Sequence, residues 1–300
     1  MDHSLPDLGW RHPDLGEPSP TRIGSGQVRV FQRGSGEPIV LVHGAMVNAN
    51  LWRQVVPMLA SRFRVVTLDL PFGSHDRPVE QADLTPPGIA SMVVETMETL
   101  RLGGATLLAN DTGGAIAQLI VAERPDLIGR LALTSSDAYA DFPPAAFGFM
   151  RAAAALPGGL LPLLAPMRMR ALRRLPFAQG WLTRRPLSPV ISDSYLLPSI
   201  LDRRIRRDLA RVLVGLRSKH TVAAAERFRE FERPVLVAWS RQDRFCPIAN
   251  ARRLAREFPD ARLEWVEDAY TFSPEDQPAR VAALVSHFIS TTEPGVANVR

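Results

Sequence analysis

The sequence predicts an α/β protein: a mostly parallel, doubly wound sheet of about seven to eight strands with an inserted helical cap. Short apolar, β-branched runs alternate with helical patterns, which is typical of parallel sheets covered by helices on both faces. A long interval between the runs at 131–134 and 235–239 has helical patterning and no convincing strand. The 300 residues are 46% hydrophobic and 22% charged, the balance of a folded globular chain.

Strands and helices are predicted from these two alternating patterns. Short apolar runs bounded by turn residues indicate buried strands. They lie at 28–31, 39–42, 65–68, 106–109, 131–134, 235–239 and 263–266. Helices are predicted between them at about 50–61, 87–102, 114–123, 248–257 and 277–289.

This order of elements divides the chain into three parts. Residues 1–25 are predicted to be an N-terminal extension, residues 26–140 with 233–300 the α/β core, and residues 141–232 the helical cap. Open α/β sheets bind ligands at the carboxyl ends of their strands, so the cap is expected to cover that edge. Its run 147–164 is rich in Ala, Leu, Phe and Met, which predicts an apolar roof and a small-to-medium, lipophilic substrate.

Composition and charge exclude several classes of function. The net charge of +5 comes from arginines spread along the chain, with Lys219 the only lysine, so no nucleic-acid partner is predicted. A single cysteine, Cys246, excludes a disulfide scaffold or a cysteine-rich metal site, and neither a metal nor a cofactor is predicted. The oligomeric state is not indicated.

Two segments bear on location. The apolar stretch 152–166 is interrupted by Pro and Gly and is shorter than the roughly 18 residues that a membrane span needs, so no span is predicted. The first twenty residues lack the basic and apolar regions of a secretory signal. A cytoplasmic location is therefore expected.

The segment Ala109-Asn110-Asp111-Thr112-Gly113 joins a predicted strand directly to a predicted helix. Small residues two before and two after Asp111 allow a tight turn that holds one side chain up at the sheet edge. A serine usually occupies the central position of this turn, and a carboxylate there can also serve as a nucleophile. The alternative is that Asp111 only caps the helix N-terminus.

These residues resemble the nucleophile turn of the α/β-hydrolase superfamily, most closely its haloalkane dehalogenase and epoxide hydrolase branch, whose nucleophile is Asp. Other segments of the resemblance are Val42-His43-Gly44-Ala45-Met46, residues 69–74, Gln242-Asp243 and residues 268–278. The resemblance extends from about residue 26 to residue 290. It implies the α/β-hydrolase fold and hydrolytic chemistry through an ester intermediate.

The resemblance also implies roles for individual residues. Asp111 becomes the nucleophile, the backbone N–H groups of Ala45 and Thr112 form the oxyanion hole, and Asp243 is the acid that would orient a histidine. Further residues near these segments are candidates for contact with substrate: His43, Met46, Asn110, Tyr139 and Tyr195.

The sequence departs from this family at the base. The histidine normally lies seven residues before the proline of the last helix, and Thr271 occupies that position before Pro278. An ester on Asp111 requires a water activated by a base, and threonine cannot take that proton near neutral pH. His75 and His220 are candidate replacements, whereas His287 is expected to pack in the core.

Two aspartates, three replaced family residues and one tyrosine complete the comparison. Asp137 and Asp141 could supply an alternative acid, although exposed loop positions are expected for both. The Trp that binds halide in dehalogenases is replaced by Thr112, and their Asn by Ala45. The Pro of epoxide hydrolases is replaced by Met46, and Tyr195 is the only tyrosine of the cap.

Three hypotheses follow from these residues. The first is a hydrolase that uses Asp111 as nucleophile with an unusual or missing base. The second is a non-hydrolytic enzyme, such as a cyclase, isomerase or lyase, in which Asp111 transfers a proton. The third is a ligand-binding protein that has lost catalysis.

Overall fold

A computed structural model describes residues 7–24 and 26–294 and contains one eight-stranded sheet. The strands are β1 (Glu17–Ile23), β2 (Gly26–Arg33), β3 (Pro38–Val42), β4 (Arg64–Asp69), β5 (Ala105–Asp111), β6 (Ile128–Ser136), β7 (Val235–Ser240) and β8 (Ala261–Val266). Their spatial order is β1-β2-β4-β3-β5-β6-β7-β8. The pairs β1–β2 and β2–β4 are antiparallel and the others are parallel, which confirms the predicted fold class.

β1 lies inside residues 1–25, which the sequence predicted to be an extension outside the core. It pairs along its whole length with β2, from Glu17 opposite Gln32 to Ile23 opposite Gly26. The strand carries Pro18 and Pro20, and prolines are tolerated in a sheet at its edge, where no partner needs their missing N–H. Most of its side chains are exposed or half-buried, so it lacks the apolar pattern of the other strands.

Helices cover both faces of the sheet and fill the interval between β6 and β7. They are α1 (Val56–Ala60), α2 (Pro86–Thr99), α3 (Thr112–Glu123), α4 (Gly148–Ala154), α5 (Leu160–Leu164), α6 (Pro189–Leu201), α7 (Arg203–Gly215), α8 (Ser218–Ala225), α9 (Ile248–Glu257), α10 (Ser273–Asp276) and α11 (Pro278–Ser290). None of the helices in the described residues is long and apolar enough to cross a membrane.

The helix predicted at about 50–61 is two separate pieces. A 3-10 turn covers Ala49–Trp52, and α1 begins only at Val56, immediately before Pro57. Proline lacks an N–H and its ring clashes with the preceding turn, so one helix cannot run through this position. The other four predicted helices correspond to α2, α3, α9 and α11.

The interval between β6 and β7, every residue of which is described, holds α4 to α8 and no strand. On α7, the buried side chains Ile205, Leu209 and Val212 recur at helical spacing, while its arginines lie on the remaining surface. Elsewhere in the insertion, Arg170 and Arg173 both pair with Asp193. These two arginines are therefore neutralised within the insertion, whereas Arg184 and Arg185 pair with Asp268 outside it.

Candidate active site

Asp111 lies at the junction of β5 and α3 in a backbone conformation that residues other than glycine rarely adopt. Its φ is 56° and its ψ is −132°, and its side chain makes no capping hydrogen bond to α3. The interpretation of Asp111 as a simple helix cap is therefore wrong. A Cβ at Gly113 would lie 2.5 Å from the carbonyl oxygen of His43, and one at Gly44 would overlap the Asp111 carboxylate. Only glycine fits at either position.

The electrostatic surroundings of Asp111 oppose its ionisation. Burial is the largest cause, and together with the nearby Asp243 carboxyl it raises the pKa of Asp111 to about 7. The backbone N–H groups of Thr112 and Ala45 act in the other direction and lower this pKa. The two N–H groups that the sequence assigned to an oxyanion hole thus lie beside the carboxyl group.

Asp137 lies next to Asp111 on the neighbouring strand end. Asp111 is paired with Ser136 in the β5–β6 register, and the Asp137 N–H donates to the Asp111 carbonyl oxygen at 3.2 Å. Asp137 is 2% exposed, so the expectation of an exposed loop aspartate is wrong for it. Burial first and the Asp111 charge second raise its pKa well above the ordinary value. Asp141 is exposed, as expected.

The oxygens of Asp137 have unequal surroundings. Oδ2 accepts a hydrogen bond of 3.1 Å from the Thr112 hydroxyl, whereas Oδ1 is buried without a hydrogen-bond partner. One carboxyl oxygen of Asp137, one of Asp111 and the Cys246 Sγ all lie within 4.8 Å of one another. Burial also raises the pKa of the Cys246 thiol, so this set favours protonated groups over metal ligands.

Asp243 and Thr271 occupy the positions of the family acid and base, and they contact each other. The Thr271 hydroxyl donates to Asp243 Oδ1 at 2.9 Å, and the N–H groups of Phe245 and Cys246 donate to the same oxygen at 2.8 Å. Asp243 Oδ2 is buried and has no partner. Burial raises the pKa of Asp243 despite these donors.

A cavity of about 380 Å³ opens above Asp111. Ala45, Met46, Asp111, Thr112 and Asp137 contribute to its floor. The rest of its lining is largely apolar and comes mostly from the insertion between β6 and β7; it includes Phe147, Phe149, Leu164, Leu182, Leu213 and Phe272. The apolar roof expected from the sequence is present in this structure.

His43 and Asn110, two of the predicted substrate contacts, form hydrogen bonds with backbone groups and do not face the cavity. Leu70 N–H donates to His43 Nε2 at 2.9 Å, so the proton lies on Nδ1, which is 2.9 Å from the Gly44 carbonyl oxygen. Burial lowers the pKa of His43 to about 4, and the ring is neutral. The buried Asn110 amide donates to the carbonyl oxygens of Thr134 and Thr271 and does not line the cavity.

The two tyrosines also lie away from the cavity lining. Tyr139 is 3% exposed and its hydroxyl donates to Glu257 at 2.8 Å. Tyr195 is fully buried, and its hydroxyl donates to Glu275 at 2.6 Å. Glu275 is also paired with Arg53. Both hydroxyl groups are engaged by glutamates outside the cavity, so of the five predicted contacts only Met46 lines the cavity.

None of the histidines in the described residues lines the cavity. His75 is 3.4 Å from Asp208 and accepts from the Gly73 N–H, and it faces a separate pocket near β1. His220 lies on α8. His287 is exposed on α11, so the prediction that it packs in the core is wrong. Within residues 7–24 and 26–294, no imidazole therefore takes the place of the missing base.

Fold and site together define an enzyme of the α/β-hydrolase superfamily. The chain belongs to the alpha/beta hydrolase family, whose sequence model matches residues 39–284. It is 28% identical over 288 residues to an uncharacterized protein of Mycobacterium tuberculosis, covering 90% of this chain and 80% of that protein. It is also 28% identical over 271 residues to Haloalkane dehalogenase 2 of the same organism, covering 87% and 90%.

Solved structures show the same architecture. The haloalkane dehalogenase DatA from Agrobacterium tumefaciens superposes with a TM-score of 0.78, covering 93% of this chain and 99% of that one. Its sequence identity is 21%, so the likeness concerns the fold alone.

Proposed function

We propose that the protein is a hydrolase that acts on a small lipophilic substrate through an alkyl-ester intermediate on Asp111. The observation that carries this proposal is the placement of the Asp111 carboxyl group. It stands on a strained turn at the floor of an apolar cavity, with the N–H groups of Ala45 and Thr112 beside it. A helix cap or a structural aspartate needs neither the strain nor the cavity.

The cavity favours an uncharged carbon electrophile as substrate. A carboxylate attacks such a carbon, in a haloalkane or an epoxide, and the bond to the leaving atom breaks with its electron pair. The ester then has its carbonyl oxygen near the N–H groups of Ala45 and Thr112, where an oxyanion formed during hydrolysis would be stabilised. Water attack on that carbonyl carbon regenerates Asp111 and releases an alcohol.

The first experiment is intact mass spectrometry after incubation with 1-bromohexane or 1,2-epoxyhexane. We expect a covalent adduct on the parent protein, located on the peptide that contains Asp111. Asp111→Asn should form none, because the amide oxygen is a poor nucleophile. Asp141→Asn, which removes an exposed carboxylate five residues beyond β6, is the matched control and should react like the parent. An unchanged adduct on Asp111→Asn would contradict the proposal.

Thr271 gives a second test. Thr271→His places an imidazole beside Asp243, whose Oδ2 has no partner, and should shorten the lifetime of any ester on Asp111. An ester that is just as long-lived in this variant would show that the residue at position 271 does not limit hydrolysis.

A non-hydrolytic enzyme remains the second candidate because one specific observation favours it. A carboxyl group with a pKa of about 7 beside a second, buried carboxyl group is suited to proton transfer within a substrate. In that case no adduct forms, and Asp111→Asn abolishes the isomerisation of substrate without any uptake of labelled oxygen from water. The mass experiment therefore separates the two candidates.

A further inference from the structure

Because Thr271 stands where the family has its histidine base, hydrolysis of an ester on Asp111 requires another proton acceptor near Asp111. Asp137 is the residue with suitable placement, since it lines the same cavity and its carboxyl group lies within 4.8 Å of that of Asp111. It is 2% exposed, and its Oδ1 is a buried oxygen without a hydrogen-bond partner. The other oxygen is held by the Thr112 hydroxyl, which fixes the orientation of the group.

We propose that Asp137 is the second catalytic residue: it donates a proton to the leaving oxygen of an epoxide, and then accepts a proton from the water that hydrolyses the Asp111 ester. This inference rests on the proposed function and adds to it the substrate class and the proton acceptor. It assigns to a carboxyl group the work that a histidine performs in the enzymes that the sequence resembles.

The proton balance closes over one turnover. Asp111 begins as a carboxylate and Asp137 as a carboxylic acid. Asp111 attacks an epoxide carbon, the carbon–oxygen bond breaks, and the departing oxygen takes the Asp137 proton. Asp137 is then a carboxylate, and it takes a proton from the water that adds to the ester carbonyl. When the tetrahedral intermediate collapses, the bond between the former ester carbon and the alkoxide oxygen breaks. That oxygen takes the proton of the hydroxyl group that water added, which leaves Asp111 as a carboxylate and releases a diol.

The charge of Asp111 affects the pKa of Asp137, and this effect lets Asp137 act first as an acid and then as a base. While Asp111 is ionised, its charge helps to raise the pKa of Asp137, and Asp137 holds its proton. Esterification removes that charge, so the pKa of Asp137 falls at the step at which a base is needed. The other groups that face Asp137 are Asp243, Asp141 and Cys246, and none of them changes charge in this step.

The other candidate bases are less well placed. Asp243 Oδ1 accepts from Thr271 and from two backbone N–H groups, and the residue does not line the cavity. Cys246 also lies outside the lining, and its buried thiol resists ionisation. Asp137 combines cavity position, proximity to Asp111 and a free oxygen.

The test compares Asp137→Asn with Asp141→Asn on two probes of equal chain length. Asparagine keeps an oxygen that can accept from Thr112, so the fold should be preserved. With 1-bromohexane, whose bromide leaves without a proton, Asp137→Asn should form the Asp111 ester as fast as the parent. Ester hydrolysis should then slow by about 10²- to 10⁴-fold, the usual contribution of a positioned base, and the adduct should accumulate. With 1,2-epoxyhexane, formation of the ester should slow as well.

The outcomes separate this inference from the proposed function. If parent and Asp137→Asn clear the ester equally fast, the role of Asp137 is overturned while Asp111 remains the nucleophile. If neither the parent nor Asp137→Asn forms an adduct, and neither converts either probe to an alcohol or a diol, the proposed function fails. Infrared absorbance of protonated carboxylic acid groups at neutral pH supplies a measurement without substrate. Asp111 and Asp243 contribute to the same band because their pKa values are also raised, so the band should be weaker in Asp137→Asn than in the parent and in Asp141→Asn. An equally strong band in Asp137→Asn overturns the inference.

Discussion

Replacing Asp111 with asparagine should stabilise the folded protein at alkaline pH while it removes the nucleophile. In the folded chain, burial raises the pKa of Asp111 from 3.8 to about 7. Each unit of pKa corresponds to about 1.4 kcal/mol, so holding the ionised carboxylate in this site costs about 4 kcal/mol. Asparagine has nearly the same shape and carries no charge, and it avoids this cost.

The pH dependence has a definite sign. Between the two pKa values the unfolded chain is ionised at this position while the folded chain is protonated, so the unfolded state binds fewer protons. The free energy of unfolding of the parent therefore falls as the pH rises through this range. The advantage of Asp111→Asn should be small near about pH 4, grow with pH, and level off at about 4 kcal/mol above about pH 7.

Urea denaturation followed by tryptophan fluorescence measures this difference, since the chain has five tryptophans. Parent and variant are compared at acidic and at mildly alkaline pH. Asp260→Asn, which removes one exposed carboxylate just before β8, controls for the change in net charge. If Asp111→Asn is no more stable than the parent at alkaline pH, or if its advantage is the same at both values, burial does not oppose the ionisation of Asp111.

Three further predictions concern the same site. Gly44→Ala places a Cβ against the Asp111 carboxylate and should slow ester formation by about 100-fold, measured by intact mass, with an unchanged circular dichroism spectrum. Tyr195→Phe removes the buried hydrogen bond to Glu275, and should lower the free energy of unfolding by about 1 to 3 kcal/mol without changing turnover. The rate of reaction with 1-bromohexane should rise with pH and level off above about 7, as Asp111 ionises; a flat profile would contradict this.

The turn at Asp111 was predictable because its requirements are local. A strand, a tight turn and a helix leave a pattern of small residues within five positions, and Gly113 meets a neighbouring backbone where only glycine fits. The edge strand β1 was not predictable in the same way. Its two prolines and exposed side chains remove the alternation from which strands are inferred, and the strand exists because β2 offers it a hydrogen-bonding edge.

The side-chain contacts of the site depend on register and therefore escaped the sequence analysis. Asp137 is adjacent to Asp111 because β5 and β6 are parallel neighbours that end at the same level. Both aspartates follow predicted strands, so their proximity could have been inferred once the strand order was known. Tyr195 gave no such signal, because its partner Glu275 lies 80 residues away in the sequence and only the tertiary fold brings the two side chains together.

The threonine at position 271 changes the electrostatics of the site as well as its set of bases. An imidazole beside Asp243 would offer a positive charge to the neighbouring carboxyl groups, whereas Thr271 donates one neutral hydrogen bond. Burial then dominates, and it raises the pKa values of Asp111, Asp137 and Asp243 together. Such a site keeps protons at a pH at which ordinary aspartates have lost them. Under the proposed chemistry, Asp137 loses its proton when the epoxide opens and regains one when the ester is hydrolysed. A carboxyl group then performs the acid–base catalysis that a histidine performs in the enzymes that the sequence resembles.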